Sequence, residues 1–320
     1  MNLSDIQKRF SRKDDYTFYK DAIKDVWKAT EQILDTNFFL QYTDHSINHS
    51  KRVLGYVFHI IDEVGTRNSG WDPLSNDELL VLVCATLLHD VGMATEAYLD
   101  FSCVNNHSVS CGKYDNQRCL NDGDSSCTKL SKLEQMRVKH HESAYNAIVD
   151  SVRADVSNAL NLGLECIAQK DMHLIEDIAT IAKSHRIKDI TDFESIVDRG
   201  MGKELIRKKL LSALLCVGDA MDITHKRVVW KKLRQYDIPI ESVYHWIRCY
   251  FVSQIAIEES TIKISFGFPT DYLNENSDCF DLPEKIIHNI KKELDNQIEA
   301  VYDILIQNGI FFIWRTKRIC

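Results

Sequence analysis

This sequence predicts a mainly α-helical protein that ends in a small α+β appendage, and three observations lead there. Gly and Pro are scarce, 12 and 4 in 320 residues, while long stretches repeat apolar residues at three- and four-residue spacing, the period of a helix with one buried face. A single segment, 250–268, instead alternates β-branched with polar residues about a short polar centre, the pattern of a β-hairpin. Hydrophobic residues make up 44% of the chain, enough for a substantial buried core.

Taken in order, the periodicity predicts helices near 15–36, 46–64, 75–90, 131–150, 172–185, 203–222 and 283–308. Ser75-Asn76-Asp77-Glu78 stands before the apolar run 79–88 as a capping-box start, the Ser and Glu side chains each serving the other's backbone N–H. Pro283 suits the first turn of the last helix, where its missing N–H costs nothing. Residues 98–130 break the helical rule: they are polar, rich in Asn, Ser, Asp and Gly, and carry four cysteines, so they read as an insertion or lid. The expected plan is a helical domain over 1–230 and an α+β appendage over 231–320. The apolar run Ile310-Phe311-Phe312-Ile313-Trp314 is suited to packing on the domain or on another subunit, as in a homo-oligomer.

Composition narrows the function. The formal net charge is −8, whereas a protein gripping a duplex must replace condensed counterions with Lys and Arg. A basic rim around one pocket fits a small anionic ligand better. The longest strongly apolar run, Leu79–Leu88, is too short to span a bilayer. The first residues show no basic flank leading into an apolar core, so a cytoplasmic location is expected. In that setting the ten cysteines read as thiols or metal ligands before disulfides.

The histidines carry the chemistry. His49 heads an apolar stripe of Val53, Val57 and Ile60; His89 ends one after Leu82 and Ala85; His140 begins one with Ala144, Ala147 and Ile148. His185 closes another after Ile178, Ile181 and Ala182, and Asp219 continues the face of Leu211 and Leu215. Five polar side chains thus stand at helix ends yet point as the core points. A single such histidine is ordinarily a core residue with a mundane hydrogen bond. Five such polar side chains on five helices, one of them beside Asp90, ask for a shared metal ion that removes the cost of burying them.

His49 in "HSKRV", His89-Asp90 in "LLHDVGM" and Asp219 in "LLCVGDAMDITHKRV" resemble the H…HD…D signature of the HD superfamily of metal-dependent phosphohydrolases. "RVKHHESA" and "IAKSHR" are similar to the additional histidine positions of its two-metal members. "YTDHSINHSKRV" and "GDAMDITHKRV" look most like the HD-CE branch, found with bacterial conflict systems and Hsp90-like ATPases. The resemblance covers 42–230 and extends to the hairpin and last helix.

The resemblance implies an HD-type helical bundle in which His49, His89, Asp90 and Asp219 bind a first metal. Asp90 would bridge to a second held by His140 and His185, and Asp90, His140 and His185 would be catalytic. Imidazole and carboxylate ligands with open positions favour manganese, iron or cobalt; zinc is within range and magnesium less apt. Such metals acidify a bridging water and neutralise phosphoryl oxygens during in-line attack. His45, four residues before His49, competes with it as ligand, but His49 is followed by the Ser-Lys-Arg-Val the family places there. His141 competes with His140, which has the small Ala144 four residues on. Asp222, one turn after Asp219, is either a partner that orients a ligand or a surface charge. The sequence departs from the cyclic dinucleotide phosphodiesterases: it has no Gly-Tyr-Pro, and Ser184-His185-Arg186 stands where they carry His-His-Glu. It also lacks a synthetase domain of the stringent-response kind.

Lys51, Arg52, Lys139, Lys183, Arg186, Lys226 and Arg227 sit beside the candidate ligands and are candidate phosphate-binding residues; each alone also reads as a solvated helix face. Cys103, Cys111, Cys119 and Cys127 recur every eighth position around His107. They suit a structural zinc, free thiols or a redox element, without the close pairs of a standard zinc finger. The function expected is hydrolysis of a phosphate ester or anhydride in a nucleotide-type substrate. The alternatives are a nucleotide-sensing or scaffold module without turnover, or one component of an antiviral defence assembly.

Overall fold

A computed structural model of the chain describes residues 1–11, 15–35, 43–95, 132–186, 193–228, 240–258, 260–267 and 281–318. The cysteine segment 98–130, with the zinc expectation attached to it, lies outside them.

The fold is a helical bundle with a small C-terminal appendage of hairpin and long helix. The helices are α1 (Leu3–Gln7), α2 (Tyr16–Leu34), α3 (Ile47–Ile60), α4 (Asn76–Leu88), α5 (Lys132–Asp150), α6 (Glu165–Lys170), α7 (Met172–Ser184), α8 (Lys208–Met221), α9 (Ile240–Phe251) and α10 (Asp281–Gln307). The strands are β1 (Val252–Glu258), β2 (Thr261–Phe266) and β3 (Ile313–Arg318).

α4 is the axis. Every residue from Glu78 to Leu88 is buried, as expected of a helix apolar all round, and α2, α3, α7 and α8 pack about it. Its start is the capping box read from the sequence: Ser75 Oγ accepts from Glu78 N at 3.1 Å, and Glu78 Oε2 accepts from Ser75 N at 2.9 Å. Glu78 also accepts from Arg207 Nε at 2.7 Å and from Arg207 N at 3.0 Å. The segment entering α8 is thereby tied to the N-terminus of α4 through a buried ion pair that would cost about 3–5 kcal/mol to break from one side.

The helices predicted from periodicity recur with boundaries moved by a few residues. Three were not read: short α1 and α6, and α9, whose apolar residues run into those of β1 so that alternation alone does not mark the switch. Of the residues expected to open the hairpin, Tyr250 and Phe251 close α9. β1 and β2 pair antiparallel, with Glu258 opposite Thr261 and a bulge between Val252 and Gln254. The apolar run after residue 309 leads into an unpredicted third strand, β3, which begins at Ile313 and lies parallel to β2. Ahead of it Ile310 and Phe312 are buried in the core while Phe311 is 44% exposed.

α10 is the crossover between β2 and β3 and packs along α8. It ends at Gly309, φ 80°, where an added Cβ would stand 2.5 Å from Gly70 C; only glycine fits both the left-handed turn and that approach. One apolar core runs from α1 through the bundle into the sheet and α10. Among the described residues no helix is long and apolar enough to cross a membrane.

Candidate metal centre

Four helix termini and one helix middle bring the histidines and aspartates together. His49 lies in the first turn of α3, His89 caps the C-terminus of α4, His185 caps that of α7, and Asp219 lies in the last turn of α8. Asp90 follows His89 and opens the 3-10 turn Val91–Ala94. The expectation that all five positions stand at helix ends needs one correction: His140 is about two turns inside α5. α5 reaches the centre from the side, packed on α7 and on the turn after Asp90.

Two groups of facing ligand atoms result, His49 with His89 and Asp219, and Asp90 with His140 and His185. Asp90 touches both. Its Oδ2 lies 3.3 Å from Nε2 of His49 and of His89, and its Oδ1 lies 3.4 Å from His140 Nε2 and 3.8 Å from His185 Nε2. His49 Nε2 is also 3.1 Å from Asp219 Oδ1. Every member is buried except Asp219, whose side chain is 23% exposed, so solvent reaches the centre past that carboxylate.

Tautomers follow from the outer nitrogens. His89 Nδ1 donates to the Thr86 carbonyl at 2.8 Å, His140 Nδ1 to Arg137 at 2.7 Å and His185 Nδ1 to Ala182 at 2.6 Å. His49 Nδ1 donates instead to Asp222 Oδ2 at 2.6 Å. Asp222 is held in turn by Arg52 Nε at 2.8 Å, and Arg52 Nη2 reaches Asp44 at 2.9 Å. With Nδ1–H spent outward, each neutral ring presents an Nε2 lone pair inward.

His140 and His185 therefore face each other lone pair to lone pair at 2.8 Å. Although that spacing is a hydrogen-bond distance, two neutral rings of this tautomer have no proton to share across it. Both are held neutral: burial pushes His140 well below its usual range and His185 down to about 3. In the other group His49 and His89 approach to 3.1 Å. There burial is outweighed for His49 by the neighbouring carboxylates of Asp219, Asp222 and Asp90, which raise it to about 10. His89 is raised despite its burial, chiefly by the Asp90 charge.

The donor set fits metal ions. Two imidazole nitrogens about 2.1 Å from one ion and at right angles stand about 3.0 Å apart, close to both spacings. Asp90 Oδ2, buried and near two imidazoles, makes no hydrogen bond, a cost that an ion would remove. Two clustered His/Asp sites are thus suited to divalent metal.

The competing histidines stand just outside these groups. The His45 ring is 5.9 Å from that of His49, and its Nδ1 donates to the Thr43 carbonyl at 2.5 Å. The His141 ring is 6.0 Å from that of His140, and burial depresses it to about 4.

The seven candidate phosphate-binding residues scatter. Arg186 and Arg227 line the cleft above the centre. Arg227 donates to the carbonyls of Asp44, at 3.0 Å, and Asp222, at 3.2 Å. Arg52 is committed to Asp222 and Asp44. Lys51 lies 3.4 Å from Glu31 and over the Trp27 ring, and Lys183 lies over Tyr145. Lys139 and Lys226 are exposed, and none of these four lysines lines the cleft. Sequence reasoning passed over Arg137, Arg248, Trp246 and Glu293, which do line it. Arg137, three residues before His140, could have been found by helical spacing. Arg248 and Glu293 reach the cleft only because α9 and α10 fold back over α8.

A family model, HD-CE, matches residues 39–299, from before α3 through most of α10. No curated protein matches the chain.

Proposed function

The chain belongs to the HD-CE family, whose HD-superfamily chemistry and His/Asp clusters make it a metal-dependent phosphohydrolase, and from that premise we propose that it cleaves a phosphate ester or anhydride of a nucleotide-type substrate. The observation that carries this reading is the His140–His185 pair, lone pair to lone pair at 2.8 Å beside the unbonded Asp90 Oδ2. A purely structural core has no use for that arrangement.

In this reading His49, His89, Asp90 and Asp219 would hold one ion, and Asp90, His140 and His185 the other. Manganese, iron or cobalt suits this mix of imidazole and carboxylate. When bound, the ions supply Lewis acidity, making a water more acidic near neutral pH and neutralising charge on the phosphoryl oxygens. The chain's own residues place and support that chemistry. Asp222 holds His49 in one orientation and tautomer, Arg52 and Arg227 hold Asp222, and Asp219 faces the entrance by which the phosphate arrives.

The test is metal content by elemental analysis on wild type and Asp90→Ala, followed by a nucleotide panel with manganese. About two equivalents of transition metal in wild type, lost in the variant together with phosphate release, are expected. Equal product from both proteins, or a wild type that takes up no metal on reconstitution, would sink the reading.

A further inference from the structure

The floor of the cleft is the ligand cluster, but its walls have a character of their own. Guanidiniums enter from four elements: Arg137 from α5, Arg186 from the end of α7, Arg227 from the 3-10 turn after α8, and Arg248 from α9. Arg227 is occupied with backbone carbonyls. Arg248 is paired with Glu293 of α10, the one carboxylate of the described lining besides Asp90 and Asp219. Among the described residues no carboxylate pairs with Arg186. Arg186 thus adds a guanidinium beside that pair, in a chain whose net charge is −8.

They act on the same space. His245 of α9, which also lines the cleft, is pushed down to about 3, by burial first and then by Arg248, with Arg137 and Arg186 adding to it against Glu293. Arg186 directly follows His185 and lines the cleft, so it stands between the ligand cluster and the α9 wall. Guanidinium geometry suits phosphate oxygens two at a time.

We infer that Arg137, Arg186 and Arg248 form a second anion subsite beside the ligand cluster, and that the substrate carries at least two linked phosphate groups. The reacting phosphate lies over the cluster and its neighbour lies on the guanidiniums. Only the choice of reacting phosphate rests on the phosphohydrolase reading; the subsite stands on the cleft itself. It also makes the C-terminal appendage part of the substrate site, since Arg248 and its partner Glu293 come from α9 and α10.

The probes are imidodiphosphate, which has two linked phosphates and resists hydrolysis, and orthophosphate. Each is titrated calorimetrically into the metal-loaded full-length protein with magnesium in excess. Imidodiphosphate is expected to bind about tenfold or more tighter, the worth of one or two charge-assisted hydrogen bonds. Arg186→Gln and Arg248→Gln should each remove most of that advantage while leaving orthophosphate affinity within about twofold. Equal affinity of wild type for both probes, or variants that weaken both probes alike, would overturn the subsite. Arg248 also holds Glu293, so if Arg248→Gln no longer melts cooperatively, Arg186→Gln decides the matter alone. A protein that shows the preference but hydrolyses no phosphate compound retires the phosphohydrolase reading and keeps the subsite. One that hydrolyses phosphomonoesters while binding both probes equally does the reverse.

Discussion

Three of the four clustered histidines use one device: each reaches back to the carbonyl three residues earlier, His89 to Thr86, His140 to Arg137 and His185 to Ala182. For His89 and His185, at helix C-termini, that carbonyl belongs to the last turn, where carbonyls lack helical partners, so orienting the ring also satisfies a backbone group. His49 sits in the first turn of its helix, where the carbonyl three residues earlier, that of Ser46, accepts from the His49 backbone N–H at 2.9 Å, and Asp222 takes the role. Asp222→Asn keeps the shape but weakens the charge-assisted bond to His49. A fall of about 10- to 100-fold in affinity for the tighter metal is expected, measured by chelator competition. An unchanged affinity would mean that the first turn of α3 orients His49 unaided. At this scale the sequence was informative about residue type, because a polar residue on an apolar stripe is visible one helix at a time. It preferred His49 to His45 and His140 to His141 only by resemblance, since histidines so close in the chain differ mainly in what other helices bring to them.

The elements meet through one close approach. Gly92, in the turn after Asp90, lies so near α5 that an added Cβ would stand 1.9 Å from the His140 carbonyl oxygen and 2.6 Å from Ala144 N. Both contacts are backbone and cannot swing aside, so Gly92→Ala must push α5 away and carry His140 with it. The expected result is a stability loss of about 1–3 kcal/mol and loss of the Asp90–His140–His185 ion ahead of the other, read as one metal equivalent instead of two. Retention of both equivalents would show that α5 can slide without moving His140. α4 was legible as a central helix because a long apolar run behind a capping box has few alternatives. α9 and β3 were not: one runs into a strand without a composition change, and the other is ordered by pairing with β2, some fifty residues earlier in the chain.

Across the molecule, burial of so many histidines sets how the metal-free protein responds to pH. His45 and His141 are depressed to about 4, and His185 and His245 to about 3, burial being the first cause in each. Their unfolded values are near 6.5, so as pH falls below about 6.5 the unfolded chain takes up protons the native fold refuses. Stability then declines by up to about 1.4 kcal/mol per pH unit for each. His49 has the opposite sign. Raised to about 10, it contributes in full below about 6.5 and loses that contribution as pH rises towards 10. Denaturant midpoints in EDTA should therefore peak near pH 6.5, with a steeper acid limb than alkaline limb. A flat acid limb would mean that the clustered imidazoles are hydrated in the metal-free protein. Bound metal should flatten the alkaline limb, because an ion then replaces the proton that His49 shares.

Local periodicity by itself determined the helical class, the central helix, the hairpin and the ligand types, because each is written in the spacing of residues along one element. The polar stripes on α3, α4, α5, α7 and α8 could be read before any helix was placed beside another. Tertiary structure alone decided that two lone pairs meet at 2.8 Å and that Asp222 rather than a backbone carbonyl orients His49. It also decided that α9 and α10 wall the cleft. These are distances between elements far apart in the chain, fixed by how one shared core packs, and no periodicity within an element encodes them.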